Sequence, residues 1–211
     1  MTEHEKESRN LLERMKMFND AVYAIVLTLL VLELHVPEYA SCKTAADMWH
    51  CMQEMSPKLF AFLLSIVLVG GNWISSVNIQ SVQVRADKKY PIHMVTYLSL
   101  ISLAPFTCNI IGSYPDNPMS YVIFGVLVFL VVFNAVVYMR HLRIKKLYHE
   151  DVDMNEIRKT EKSLPYILAF IAFMAGVAFL STTLSFCLFL IFSLLPFFIT
   201  QKLRINHKDA S

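Results

Sequence analysis

Six mostly apolar stretches alternate with polar segments along the chain: approximately Met17 to Val36, Lys58 to Ile79, His93 to Ser113, Ser120 to Met139, Leu164 to Leu180 and Leu184 to Thr200. An α-helix needs about 20 residues to cross the roughly 30 Å of bilayer hydrocarbon, and each stretch meets or approaches that length. Buried backbone must satisfy its own hydrogen bonds in lipid, so the spans are expected to be helices. The pattern therefore predicts an all-α membrane protein with six transmembrane helices per chain. Turn-forming or charged runs such as SYPDNP and RADKKYP separate the first five stretches. Only Ser181-Thr182-Thr183 separates the last two, which predicts a tight antiparallel pair. The corresponding division is an amino-terminal segment over 1–16, a six-helix domain over 17–200 and a tail over 201–211.

Charge orients these spans, because Lys and Arg accumulate on the cytoplasmic side of short loops. All but Lys43 and Lys58 of the 19 basic residues fall in the amino-terminal segment, the second loop (Arg85, Lys88, Lys89), the fourth loop or the tail. Both termini are thus expected in the cytoplasm, with the loops at 39–56 and 114–119 outside. The first apolar segment has no A-x-A-like cleavage site after it and is expected to stay as a helix. The fourth loop, RHLRIKKLYHEDVDMNEIRKTEK, is expected to extend the fourth helix or form a short cytoplasmic helix. Its His149, Glu150, Asp151 and Asp153 fit a solvated charged face better than a regulatory metal site.

Composition agrees with a membrane protein, at 55% hydrophobic residues and a mean hydropathy of +0.47. A net charge of +2 is too small for a nucleic-acid surface. Neither H-E-x-x-H, G-x-S-x-G, a P-loop nor a dinucleotide fingerprint occurs, so an enzyme is not expected, nor a cofactor. The four cysteines form no C-x-x-C pair. Cys42 and Cys51 share one loop and could form a disulfide in an oxidising compartment, while Cys108 and Cys187 lie in apolar runs.

Ionisable residues inside a span are costly and point to function. They concentrate in the first stretch, as Asp20, Glu33 and His35, and are absent from the apolar runs of the last two. The last two helices therefore read as a lipid-facing wall, and the first as shielded from lipid. Along the first helix, Ala21, Ile25, Thr28 and Leu32 fall on one face, a stripe that suits a pore lining or close helix packing alike. Nearer the cytoplasm Arg14 and Phe18 share a face, with Asn19 and Asp20 next. An Arg and an Asp at a helix end can make a charge-assisted hydrogen bond.

The run Arg14-Met15-Lys16-Met17-Phe18-Asn19-Asp20 resembles the R-x-x-x-F-S-D signature of the transmembrane protein 175 family of cation channels, with Asn19 in place of the usual Ser. Ala104-Pro105-Phe106-Thr107 and Gly112-Ser113-Tyr114 resemble that family's L-P-F-x-T and G-x-Y elements. Its second-helix W-x-x-H is altered, since Trp73 is followed by Ser76. The resemblance implies a single-repeat, prokaryotic-type homotetramer in the plasma membrane, its pore formed by the first helices and permeable to potassium ions. It also implies a constriction at Ile25 and Thr28, with Leu32 a further apolar ring on the same face. No T-V-G-Y-G is present, so selection by a ring of carbonyls is not expected. A secondary transporter, with Gly70-Gly71 or Pro105 as helix interruptions, and a proton-permeable channel are the competing readings.

Overall fold

The computed structural model describes residues 3–34, 44–149, 152 and 154–208. Its helices are α1 (Glu3–Leu32), α2 (Ala45–Glu54), α3 (Ser56–Ser81), α4 (Tyr90–Ile101), α5 (Ala104–Ser113), α6 (Pro118–Ile144), α7 (Met154–Val177) and α8 (Thr182–Lys208). Among the described residues four spans are long and apolar enough to cross a bilayer: Glu5–Leu32, Ser56–Ser81, Tyr90–Ser113 and Pro118–Ile144. The fifth and sixth stretches are helical too, in α7 and α8, but the apolar part of α8, Thr182–Phe197, is shorter. The all-helical expectation is borne out, and four of the six expected spans meet that length and composition among the described residues.

Local chemistry explains where the helices depart from the expected boundaries. Glu3 and Glu5 sit in the first turn of α1, where carboxylates favour the positive end of the helix dipole, and α1 runs unbroken past residue 16. The third stretch is two helices, because Pro105 lacks an N–H and its ring conflicts with the carbonyl four residues back. The break falls at Ser102-Leu103, one turn before the Pro-Phe-Thr element. Helix α2 was not expected. Its signal was nonetheless in the sequence: Thr44 Oγ1 accepts from Asp47 N (3.2 Å) and Asp47 Oδ2 from Thr44 N (3.0 Å), a reciprocal capping box. Cys51 on α2 is disulfide-bonded, whereas Cys108 and Cys187 are free. Cys42 and His35, like Glu150, Asp151 and Asp153 of the discounted metal site, lie outside the described residues.

The fourth loop does extend α6, to Ile144, and then pairs with the segment after α3 before α7 begins. Val84 N donates to Leu147 O (2.9 Å) and His149 N to Val82 O (3.0 Å). Side chains thicken this layer: Tyr138 donates to Gln83 Oε1, Asp87 accepts from His141 at 2.8 Å, and Arg143 grips Glu161 through two bonds of 2.8 and 2.6 Å. The first turns of α1 join it through Arg85 to Glu5 (2.8 Å) and Ser8 Oγ to Ala86 O (2.6 Å).

Above this layer α3 packs on α5 and α8, and α6 on α7, with α7 and α8 forming the expected tight hairpin. Ser185 Oγ closes that hairpin by donating to Met174 O at 2.7 Å. Small residues set the distances between helices. A Cβ at Gly125 would stand 2.9 Å from Ala175 Cβ and 3.3 Å from Phe189, and one at Gly71 would stand 3.1 Å from the Ser193 carbonyl oxygen. Gly71 thus serves close packing in an unbroken α3 and does not interrupt the helix. Gly125→Val should force α6 away from α7 and α8 at about 1–3 kcal/mol, seen as a lowered thermal midpoint of the purified protein.

Candidate functional site

Helix α1 carries two stripes with the same four-three-four spacing, offset by two residues or about 200°. Asn19, Tyr23, Val26 and Leu30 form the first, and all four are buried. Ala21, Ile25, Thr28 and Leu32 form the second, and all four are exposed, Ile25 at 57% and Leu32 at 64%. Only 22% of the apolar stretch of α1 is buried within the chain, against 39%, 50% and 39% for the other three long spans. The helix richest in polar groups is therefore the least covered. The shielding expected for it does not come from its own chain.

Three polar contacts with other helices fix the buried stripe, and all lie at the end of the signature or within one turn of it. Asn19 is fully buried, and its Nδ2 donates to Ser76 Oγ at 3.1 Å and to Asp20 Oδ1 at 3.3 Å. Trp73 Nε1 donates to the same Asp20 oxygen at 2.9 Å. One turn on, Tyr23 OH donates to Tyr97 OH at 2.9 Å, which bonds in turn to the Asn72 carbonyl at 3.4 Å. Helix α1 is thereby tied to α3 twice and to α4 once. Near the other end Asn109 Nδ2 on α5 donates to Glu33 Oε2, so Glu33 is a bonded carboxylate and not a free one.

The remaining signature residues behave differently. Phe18 is 44% exposed and is not part of the core. Arg14 is exposed and makes no ion pair with Asp20 among the described residues. The reason is angular: six residues on a helix turn about 240°, so the two side chains leave different faces. The carboxylate takes its hydrogen bonds from Trp73 and Asn19 instead. The Tyr23–Tyr97 pair was missed from the sequence, although Tyr23 lies four residues after Asn19 and so shares its face.

The family model described as "Endosomal/lysosomal potassium channel TMEM175" matches residues 14–105. That segment of the chain is similar to the TMEM175 family. The matched segment begins at Arg14, the first signature residue, and ends at Pro105, where α4 gives way to α5. It takes in α3, α4 and the part of α1 that bears the Asn19, Asp20 and Tyr23 contacts, so the resemblance read from the signature is borne out. A potassium channel of Chamaesiphon minutus is 28% identical over 127 residues, 60% of this chain and 62% of that protein's own length, or less than two thirds of it. One from Streptomyces collinus is 26% identical over 182 residues, covering 82% of this chain and 84% of the relative. The crystal structure of a lysosomal potassium-selective channel TMEM175 homolog from Chamaesiphon minutus shares the fold at a TM-score of 0.77 and 20% identity, over 90% of this chain and 98% of that one.

The two departures of this chain from the family pattern, one in the signature and one in W-x-x-H, touch each other. Asn19 stands for Ser and Ser76 for His, and they are the two ends of the 3.1 Å bond. A longer side chain on α1 reaches a shorter one on α3. Asn19→Ser alone should leave Ser76 without that donor inside the membrane, at about 1–3 kcal/mol. Adding Ser76→His should recover part of the loss, so thermal midpoints of the two single variants and the double variant should be non-additive. Strict additivity would mean that the two positions are independent.

Proposed function

We propose that the chain is a potassium-permeable channel subunit, four copies of which bring their α1 helices around a central ion path. The observation that carries this reading is the exposed stripe on α1: an apolar face with a single hydroxyl, on the span that its own chain covers least among the four long ones. One helix cannot enclose a path, so closure needs several copies about an axis. The relatives named as potassium channels and the shared fold support the ion, the signature and the six-span plan, with α7 and α8 as the fifth and sixth helices. Seventeen Lys and Arg residues against two support cytoplasmic termini in a prokaryotic plasma membrane. Exposed Arg14 and Phe18 would face a neighbouring copy, and Asn19 and Asp20 hold α1 to its own chain.

Ile25 is the narrowest ring in this reading, with Leu32 seven residues and about 10 Å further out. Between them Thr28 Oγ1 donates its proton to the Ile25 carbonyl at 2.7 Å. The hydroxyl oxygen therefore keeps its lone pairs for accepting, the polarity a passing cation requires. An apolar ring passes ions only when they shed water, and potassium dehydrates at lower cost than sodium. Selectivity would arise there without a carbonyl filter. A transporter built on paired broken helices is disfavoured, because α3 is continuous through Gly70-Gly71 and the break before Pro105 has no matched counterpart among the described helices.

Reconstitution with opposed potassium and sodium gradients tests the reading. Single-channel steps reversing toward the potassium potential are expected; slow saturable exchange would indicate a transporter, and a reversal potential that follows pH a proton path. Ile25→Asn should raise conductance and weaken potassium over sodium, while Thr28→Val should alter selectivity with assembly intact. Unchanged currents in well-folded tetramers of both variants would place the ion path elsewhere, and a monomer or dimer by mass in mild detergent would remove the pore.

A further inference from the structure

Behind the contacts that hold α1, helices α3, α4 and α6 line a partly open cavity of about 60 Å³. A single water needs about 10–15 Å³ on this measure, so the space exceeds one solvent molecule. Much of its wall is carbon, from Ile79, Met94, Ala135 and the tyrosine rings. Several polar groups on the wall are already committed: Tyr138 donates to Gln83, Asn72 to the Leu68 carbonyl and Ser75 to the Gly71 carbonyl. Gln80 Nε2 and Tyr90 OH are buried on the same wall, in residues only 5% and 1% exposed, and make no hydrogen bond of good geometry, although the Tyr90 ring stacks on Tyr138 and its hydroxyl lies near that of Tyr138.

A buried donor left unmet costs about 1–3 kcal/mol, and a polar occupant would remove that cost. Both groups lie where α3 ends and α4 begins, so they mark one end of the space. His93 is an imidazole on the wall, but no carboxylate, Lys or Arg lines it, which disfavours an ionic occupant. Water could answer the two donors. Water filling the rest would face carbon and lose hydrogen bonds that an apolar body does not need.

We infer that this cavity is a binding site for a small neutral molecule carrying an acceptor oxygen on a compact apolar body, with Gln80 and Tyr90 donating to the oxygen. The occupant also has a route to α1. Ser76 and Tyr97 form part of the cavity wall, and they are the residues that bond Asn19 and Tyr23. A molecule binding one arrangement of that wall better than another would shift the position of α1. That second step rests on the channel reading above, but binding itself does not.

Cyclohexanone is the probe, with cyclohexane as the same ring lacking the oxygen, applied to the purified full chain in detergent. A saturable rise in thermal midpoint with cyclohexanone and none with cyclohexane is expected. Gln80→Leu should weaken the concentration dependence several-fold, and Ala135→Phe, which fills the space, should abolish it. Equal responses to the two rings would show apolar partition only and overturn the site, as would no saturable shift, which would leave water as its occupant. If Ala135→Phe does not fold, the comparison of rings and Gln80→Leu still decides. Because midpoints need no ion flux, absence of current in liposomes would reject the channel and leave the site standing. Saturable binding with unchanged potassium current in conducting liposomes would reject the coupling to α1.

Discussion

Much of this structure depends on the side-chain amide of Asn19, a polar group placed where it cannot find water. In a bilayer the contribution of one interhelical hydrogen bond is modest, about 0.6–2 kcal/mol. An unmet donor there costs more, so the geometry that satisfies Asn19 is strongly preferred over its alternatives. Satisfying it requires Ser76 of α3 at 3.1 Å, and the neighbouring Asp20 accepts from Trp73 one turn earlier on α3. Tyr23 adds α4 through Tyr97. These bonds fix the rotation of α1 about its own axis, which apolar packing alone specifies poorly.

Fixing that rotation decides which side of α1 is left over. The stripe of Ala21, Ile25, Thr28 and Leu32 lies opposite the bonded stripe and is exposed because Asn19 and Tyr23 are not. Holding one face of a helix through polar groups frees the other to stay apolar and smooth, which an ion path through a constriction of this kind needs. The same contacts lie beside the cavity between α3, α4 and α6, so the site proposed there and the helix proposed to line the pore share a wall.

Elsewhere the architecture follows from backbone chemistry. Pro105 divides one span into α4 and α5, and α5 carries Asn109 to the Glu33 carboxylate at the far end of α1. Gly125 and Gly71 admit α7 and α8 close to the bundle, and Arg143 of α6 ties α7 through Glu161. The layer formed by Gln83, Asp87, His141, Arg143, Glu161 and the paired segments at Val84 and Leu147 closes the other end, where the basic residues that orient the chain are concentrated.

By itself, the sequence determined the all-helical membrane class, the order of the long spans, the hairpin at Ser181 and the signature that carries the family resemblance. Each rests on hydropathy, turn chemistry or a local run of residues, all of which are readable within a short window. It also held the capping box of α2 and Pro105, a candidate interruption that does break the third span. It could not choose between the two stripes on α1, because they have the same period and differ only in which meets other helices. Nor could it join Asn19 to Ser76, 57 residues apart, or deny Arg14 its bond to Asp20. Those outcomes depend on the angle at which α1 meets α3 and α4, and that angle is set by contacts distant in sequence, which only the folded chain brings together.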